Sequence, residues 1–89
     1  MRRCNIKNRK KAAALGYVPE EGVPRILASG RGREAERIIV LAETAGITIV
    51  EDGALAALLD AVKPGDFIPP WCWEAAAKIL AFVISKEKR

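Results

Sequence analysis

Between Pro24 and Val50 the chain changes its hydrophobic period twice, and this constrains the fold more than any other feature. A short stretch from Pro24 to Ala28, carrying Ile26 and Leu27, reads as a strand with proline at its first residue, where a missing N–H is tolerated. After Ser29-Gly30-Arg31-Gly32, residues Ala35, Ile38, Ile39, Ala42 and Ala45 recur at helical spacing. Arg33, Glu36, Arg37 and Glu43 lie largely off that face. Gly46 suits the left-handed conformation that ends helices. Ile47-Thr48-Ile49-Val50 is then a short, β-branched strand. A strand, a helix and a strand over this length can make a right-handed parallel crossover, which places the chain in the α/β class.

The rest of the chain fits around that unit. Residues 1–10 read as an irregular basic arm. From Lys11 to Tyr17, Ala13, Leu15 and Tyr17 share one face at period two, although alanine is a poor strand former. Val18-Pro19-Glu20-Glu21-Gly22 is a turn by its composition. Glu51-Asp52-Gly53 leads into a helix over about 54–62, with the Asp52 carboxylate placed to accept from its orphan backbone donors. Lys63-Pro64-Gly65-Asp66 is another turn, and Pro69-Pro70 opens a last helix over about 71–85. On that helix Trp73, Ala76, Ala77, Leu80 and Val83 form a broad apolar face, with Trp71 expected outside it. The resulting fold class is a small mixed β-sheet of three to four strands packed with three or four helices, in a single domain over residues 11–86. Residues 87–89 are left as a basic end.

Charge and residue types narrow the function. The 89 residues carry a formal charge of +4, but the cations crowd the ends. Setting aside Arg2, Arg3, Lys7, Arg9, Lys10, Lys11, Lys86, Glu87, Lys88 and Arg89 leaves six cations against ten acids. Basic ends can bind phosphates, weakly and with steep salt dependence, or simply keep the chain soluble. The N-terminal cations have no aromatic interleaved with them, which disfavours stacking on single strands and implies no specific nucleic acid. The chain has no histidine and two cysteines, so it lacks a ligand set for zinc and the commonest general base, and no cofactor is expected. Cys4 and Cys72 belong to no disulfide pattern, and no apolar run approaches the length of about 18 residues that spans a bilayer. A soluble chain in the reducing cytoplasm is the expectation.

Three local features invite a catalytic reading, and each has a plainer one. Gly30-x-Gly32 between a strand and a helix lacks the further residues of a dinucleotide or P-loop fingerprint. It reads as a tight turn, with Ser29 available to cap the helix. Glu51 and Asp52, adjacent at a strand end, point to opposite faces, and capping accounts for Asp52. Cys72, between two tryptophans, has no histidine and no strong basic neighbour to lower its pKa, and reads as inert.

The order of these pieces is informative. Ala12-Ala13-Ala14-Leu15-Gly16-Tyr17 and Val23-Pro24-Arg25-Ile26-Leu27-Ala28-Ser29-Gly30 resemble the cytoplasmic domain of FlhB, the substrate-specificity switch of flagellar type III export, and its injectisome counterparts. Ile47-Thr48-Ile49-Val50-Glu51-Asp52 is similar to that family's strand leading into a short helix. Gly65-Asp66-Phe67-Ile68-Pro69-Pro70 resembles its turn before the last helix, and Ala75-Ala76-Ala77-Lys78-Ile79-Leu80-Ala81-Phe82-Val83 that helix itself. The resemblance covers about residues 11–86. It implies a domain that docks export substrates and contacts other export components. It also implies a small apolar patch recognising a short hydrophobic signal, which falls on Val23, Pro24, Ala77 and Leu80. From the residues alone, Ala77 and Leu80 equally suit the core face of their helix.

One departure from the family bears on mechanism. The resemblance implies a strand and an Asn-Pro-Thr-His motif just before the first matched strand, where the chain cleaves itself between Asn and Pro by cyclisation of the Asn. Here those positions read Lys7-Asn8-Arg9-Lys10. The reading is therefore a short stand-alone member that keeps the scaffold and loses the reaction, a non-catalytic binding module of the export apparatus. Its partners would be export substrates and export-gate components. The alternatives are a small basic nucleic-acid-associated protein and, more remotely, a self-cleaving protein acting through Asn8. The purified chain is predicted to give one intact mass after days at neutral pH. Two complementary fragments meeting after Asn8 would overturn the non-catalytic reading.

Overall fold

The computed structural model describes residues 2–87. Its mixed sheet contains β1 (Arg2–Lys7), β2 (Lys11–Tyr17), β3 (Arg25–Arg31) and β4 (Thr48–Glu51), in the order β3-β2-β1-β4. β1 runs antiparallel to β2 and parallel to β4, and β2 runs antiparallel to β3. β3 and β4 are thus parallel strands at opposite edges. The crossover between them is α1 (Arg33–Ala45), which lies across the intervening strands. α2 (Gly53–Leu59) and α3 (Trp73–Glu87) complete the fold, α3 following a 3-10 turn at Pro70–Cys72.

The N-terminal arm is the main correction to the sequence reading. Arg2–Lys7 forms an interior strand, paired residue by residue with Tyr17–Ala12 and, over Cys4–Lys7, with Thr48–Glu51. Cys4 and Ile6 are fully buried. Arg2, Arg3 and Lys7 make the strand look like a solvated tail, and the apolar signal of period two has only Cys4 and Ile6 to show it. Pairing on both sides, a non-local event, decides the conformation. Lys88 and Arg89 of the basic C-terminal end lie outside the described residues.

The two faces of the sheet are built differently. Cys4, Ile6, Ala13, Leu15 and Ile26 face α2 and α3 and form one core with Leu55, Leu59, Ile68, Ala76 and Val83. The opposite face presents Ala12, Ala14 and Gly30 to α1, while the Asn5 side-chain amide donates to the Ile38 carbonyl at 3.3 Å. Small side chains under α1 explain why the alanine-rich β2 is a strand despite its propensity. Both its faces are covered, and large residues would hold the helix away.

Element ends differ from expectation where this packing intervenes. β3 continues through Ser29-Gly30-Arg31 because these residues pair with Ala13, Ala12 and Lys11 of β2, beyond a bulge at Leu27. Ser29 therefore lies in the strand. The N-cap of α1 is Gly32, at φ 57°, with no side-chain acceptor. α2 ends at Leu59, three residues short of the sequence reading, in turns closed by Ala61 N–H to the Leu58 carbonyl and Val62 N–H to the Leu59 carbonyl. Gly46 does end α1, at φ 73°, and Asp52 Oδ1 caps α2 by accepting from Leu55 N–H at 3.0 Å.

Gly30 sets how closely α1 approaches the sheet. A Cβ there would stand 2.7 Å from Glu34 Cβ and 3.3 Å from Glu34 carbonyl carbon, atoms that cannot swing aside. Gly30→Ala is predicted to destabilise the protein by about 1–3 kcal/mol through forced helix displacement. That exceeds the gain of at most about 1 kcal/mol from stiffening the unfolded chain. Urea denaturation checks it, and an unchanged or raised midpoint would show that α1 does not bear on β3 here.

Candidate functional site: an apolar groove beside the last helix

On α3, residues Trp73, Ala77, Leu80, Ala81 and Ile84 recur at helical spacing and make one stripe. Facing it are Tyr17 at the end of β2 and Gly22, Val23 and Pro24 of the following loop. Between them lies an open groove of about 410 Å³. Val23, Pro24, Ala77 and Leu80, separated by more than fifty residues in sequence, all line it. Leu80 and Pro24 are buried, Val23 is half-buried and Ala77 is exposed. Ala77 is thus outside the core cluster that holds Leu80.

Trp73 departs from the sequence reading. It was expected on the core face, but it is 48% exposed and forms one wall of the groove. Its indole N–H donates to the Ile68 carbonyl at 3.0 Å, which pins the ring. A polar atom at the edge of the ring favours such a half-covered position, and periodicity does not register it. Tyr17, Gly22, Ala81 and Ile84 also line the groove, beyond the four positions that the family resemblance implies. A second α3 stripe, one residue out of step with Ala76 and Val83, is the signal that would have found Ala81 and Ile84. Trp71, at 71% exposure, lies outside the core as expected.

The loop bank is held by a dense set of contacts. Glu21 N–H bonds the Val18 carbonyl at 2.9 Å and Gly22 N–H the Pro19 carbonyl at 3.1 Å, turning the chain sharply. Gly22, at φ 75°, takes a conformation that other residues resist. The Arg25 guanidinium donates to the Glu21 carboxylate at 3.1–3.2 Å and to the Gly65 carbonyl at 2.9 Å, and lies 3.9 Å from the centre of the Phe67 ring. Ile68 N–H bonds the Pro24 carbonyl at 3.0 Å, and Ile26 N–H the Asp66 carbonyl at 2.9 Å. These bonds lace the segment before α3 to the start of β3, so both banks of the groove hang on one frame.

The groups with catalytic potential are occupied or shielded. Asn8 sits in the β1–β2 turn, where its Oδ1 accepts from Lys10 N–H at 2.9 Å and Lys11 N–H at 2.7 Å. Cys72 is fully buried, and burial pushes its thiol pKa up, away from the reactive thiolate. Among the described residues no cluster of Cys, Asp and Glu could hold a metal ion, and no helix is long and apolar enough to cross a membrane.

The fold, a four-stranded mixed sheet with α1 on one face and α2 and α3 on the other, recurs in known proteins. Residues 8–83 match the model of the FlhB HrpN YscU SpaS family, and the chain belongs to that family, one of type III export. It is 37% identical over 75 residues to YlqH of Bacillus subtilis, an uncharacterized protein, covering 83% of this chain and 81% of that one. It is 40% identical over 80 residues to the flagellar biosynthetic protein FlhB of Aquifex aeolicus, covering 88% of this chain but 23% of FlhB. The crystal structure of the cytoplasmic domain of FlhB from Shewanella putrefaciens superposes with a TM-score of 0.84 at 29% identity, covering 91% of this chain and 64% of that one. The expected fold class, a small mixed sheet with helices as in the FlhB cytoplasmic domain, is the one found. The family match begins at Asn8, so β1 lies outside it.

At the far end of the sheet from the groove, Asp60 at the end of α2 joins two strands. Arg31 Nε donates to both its carboxylate oxygens at 2.9–3.1 Å, Arg31 Nη2 also bonds it, and Lys11 Nζ lies 3.7 Å away. The hydrogen bonds from Arg31 hold the Asp60 carboxyl below its usual pKa, opposed by burial and aided by the charges of Arg31 and Lys11. A carboxyl whose pKa is lowered by folding stabilises the folded state above its unfolded pKa of about 4, and that contribution fades as pH falls through the folded value. Asp60→Asn is therefore predicted to lower the melting temperature at neutral pH, with the gap to wild type closing as pH drops below about 4. A gap that stays constant across a pH series of melts would remove the ion pair as its cause.

Proposed function

We propose that this chain is a non-catalytic docking module of type III protein export, flagellar or related, acting on the cytoplasmic side. In this reading its groove binds a short hydrophobic segment of an export substrate or export-gate component. One observation carries it: Val23, Pro24, Ala77 and Leu80, the positions to which the family resemblance points, line a single open apolar groove with rigid banks. The absence of chemistry in this reading rests on Asn8. Arg9 follows it in place of proline, and its side-chain oxygen accepts two backbone N–H groups of the turn.

Burying a few apolar side chains in the groove is worth on the order of 2–5 kcal/mol gross, much of it offset by ordering the peptide. Binding is thus weak, roughly micromolar to millimolar. Ala77→Asp is predicted to abolish it, because the carboxylate would lose water without gaining a partner. Ala77 is exposed, so the variant keeps its melting temperature. NMR titration with early export subunits reads the result. Shifts along residues 17–24 and 73–84 in wild type, lost in the folded variant, are expected. Shifts confined to the opposite face of the sheet, or none, would remove the groove from the function.

A further inference from the structure

The basic N-terminal cluster is not absorbed by the groove. Folded into a hairpin, it puts Arg9 and Lys10 at an exposed tip, with Asn8 bonding the turn into one shape. The tip lies at the α1 side of the sheet, where Lys10 carbonyl accepts from Gly32 N–H at 2.8 Å. Asp60 takes up the charges of Lys11 and Arg31. Lys7 stands beside Glu51 across the β1–β4 pairing, and Glu36 lies next to the tip on α1. Arg9, Lys10 and Arg33 form no ion pair among the described residues, so the corner keeps a surplus of positive charge.

Directly beside this corner, α1 turns apolar side chains outward. Val40 is 57% exposed and Leu41 69% exposed. Val40 belongs both to the shallow groove of about 240 Å³ that reaches Lys7 and Arg9 and to the neighbouring depression of about 490 Å³ between Arg33, Arg37 and Leu41, and Glu36, the one acid of the lining, stands in both between these cations. Unpaired cations and an uncovered apolar shoulder thus form one continuous surface. The side-chain alternation that sends Cys4 and Ile6 toward α2 and α3 puts this surface on the opposite face from the α3 groove.

We infer that this surface docks an acidic, amphipathic segment of a partner protein, with carboxylates on Arg9 and Lys10 and apolar side chains on Val40 and Leu41. Charge complementarity selects the acidic groups. The apolar shoulder selects protein over nucleic acid, whose phosphate backbone offers nothing to Val40 and Leu41, and no aromatic residue lines the surface for bases to stack on. Docking here is independent of the α3 groove and stands or falls without it.

The test is NMR titration of the whole chain with a short synthetic peptide in which glutamates alternate with leucines. Shifts are expected at residues 7–11 and 39–41. Replacing Arg9→Glu and Lys10→Glu together is expected to weaken binding by about tenfold or more. Val40→Ser with Leu41→Ser weakens it by about threefold or more. All four positions are exposed or at a turn tip, and unchanged melting temperatures confirm that the variants fold. Four outcomes overturn the inference: no shifts, shifts along 73–84 instead, an all-glutamate peptide binding as tightly as the amphipathic one, or displacement of the peptide by a single-stranded oligonucleotide or by phosphatidylglycerol vesicles.

Discussion

β1 bonds β2 on one side and β4 on the other, so the two halves of the sheet are continuous through its six residues. Without it, β4 loses its ladder to the rest of the sheet, and the α1 crossover has no edge on which to end. The strand also supplies Cys4 and Ile6 to the core shared with α2 and α3, and Asn5 to the face under α1. One short element therefore ties the sheet together and anchors a layer on each side. Its charges, Arg2, Arg3 and Lys7, sit at its ends, outside the buried run Cys4-Asn5-Ile6.

The α3 groove depends on this arrangement at one remove. Its floor belongs to the core through Leu80, whereas its banks are a turn after β2 and the outer stripe of α3. Arg25 joins them by bonding Glu21 in the loop and Gly65 before α3 while stacking on Phe67, and the backbone bonds between 24–26 and 66–68 run beside it. The Trp73 indole then closes one side by its bond to Ile68. In the proposed docking role, a groove held in this way would leave the ordering cost mainly to the incoming segment.

The two faces carry different chemistry because they are packed with different side chains. Large aliphatic residues on the α2 and α3 side make a deep core, and a helix with a second apolar stripe remains partly uncovered there. On the other side, alanines and glycines bring α1 close to the sheet. A helix seated that low buries Ala35 and Ala42 and leaves Val40 and Leu41 outside. The sheet thus offers an apolar groove on one face and a basic, partly apolar shoulder on the other.

Local signals were legible in the sequence wherever the cause is local. Gly46 ends α1 and Asp52 caps α2 because both act within a few residues of chain. The β-branched Ile47-Thr48-Ile49-Val50 run marks β4 and the 3.6-residue period marks α1, and the succession of segments was sufficient to place the chain in its family. Pairing and burial are different, because they join residues far apart. Arg2–Lys7 becomes a strand through partners up to forty-odd residues away, Gly30 matters through a helix lying on it, and Trp73 leaves the core through a carbonyl at its ring edge. The sequence by itself determined the α/β class and every element after the N-terminal arm, together with four of the residues able to line a groove. Only the tertiary structure decided the strand order and brought Val23 and Pro24 against Ala77 and Leu80, since backbone pairing and side-chain packing act across space and leave no period along the chain.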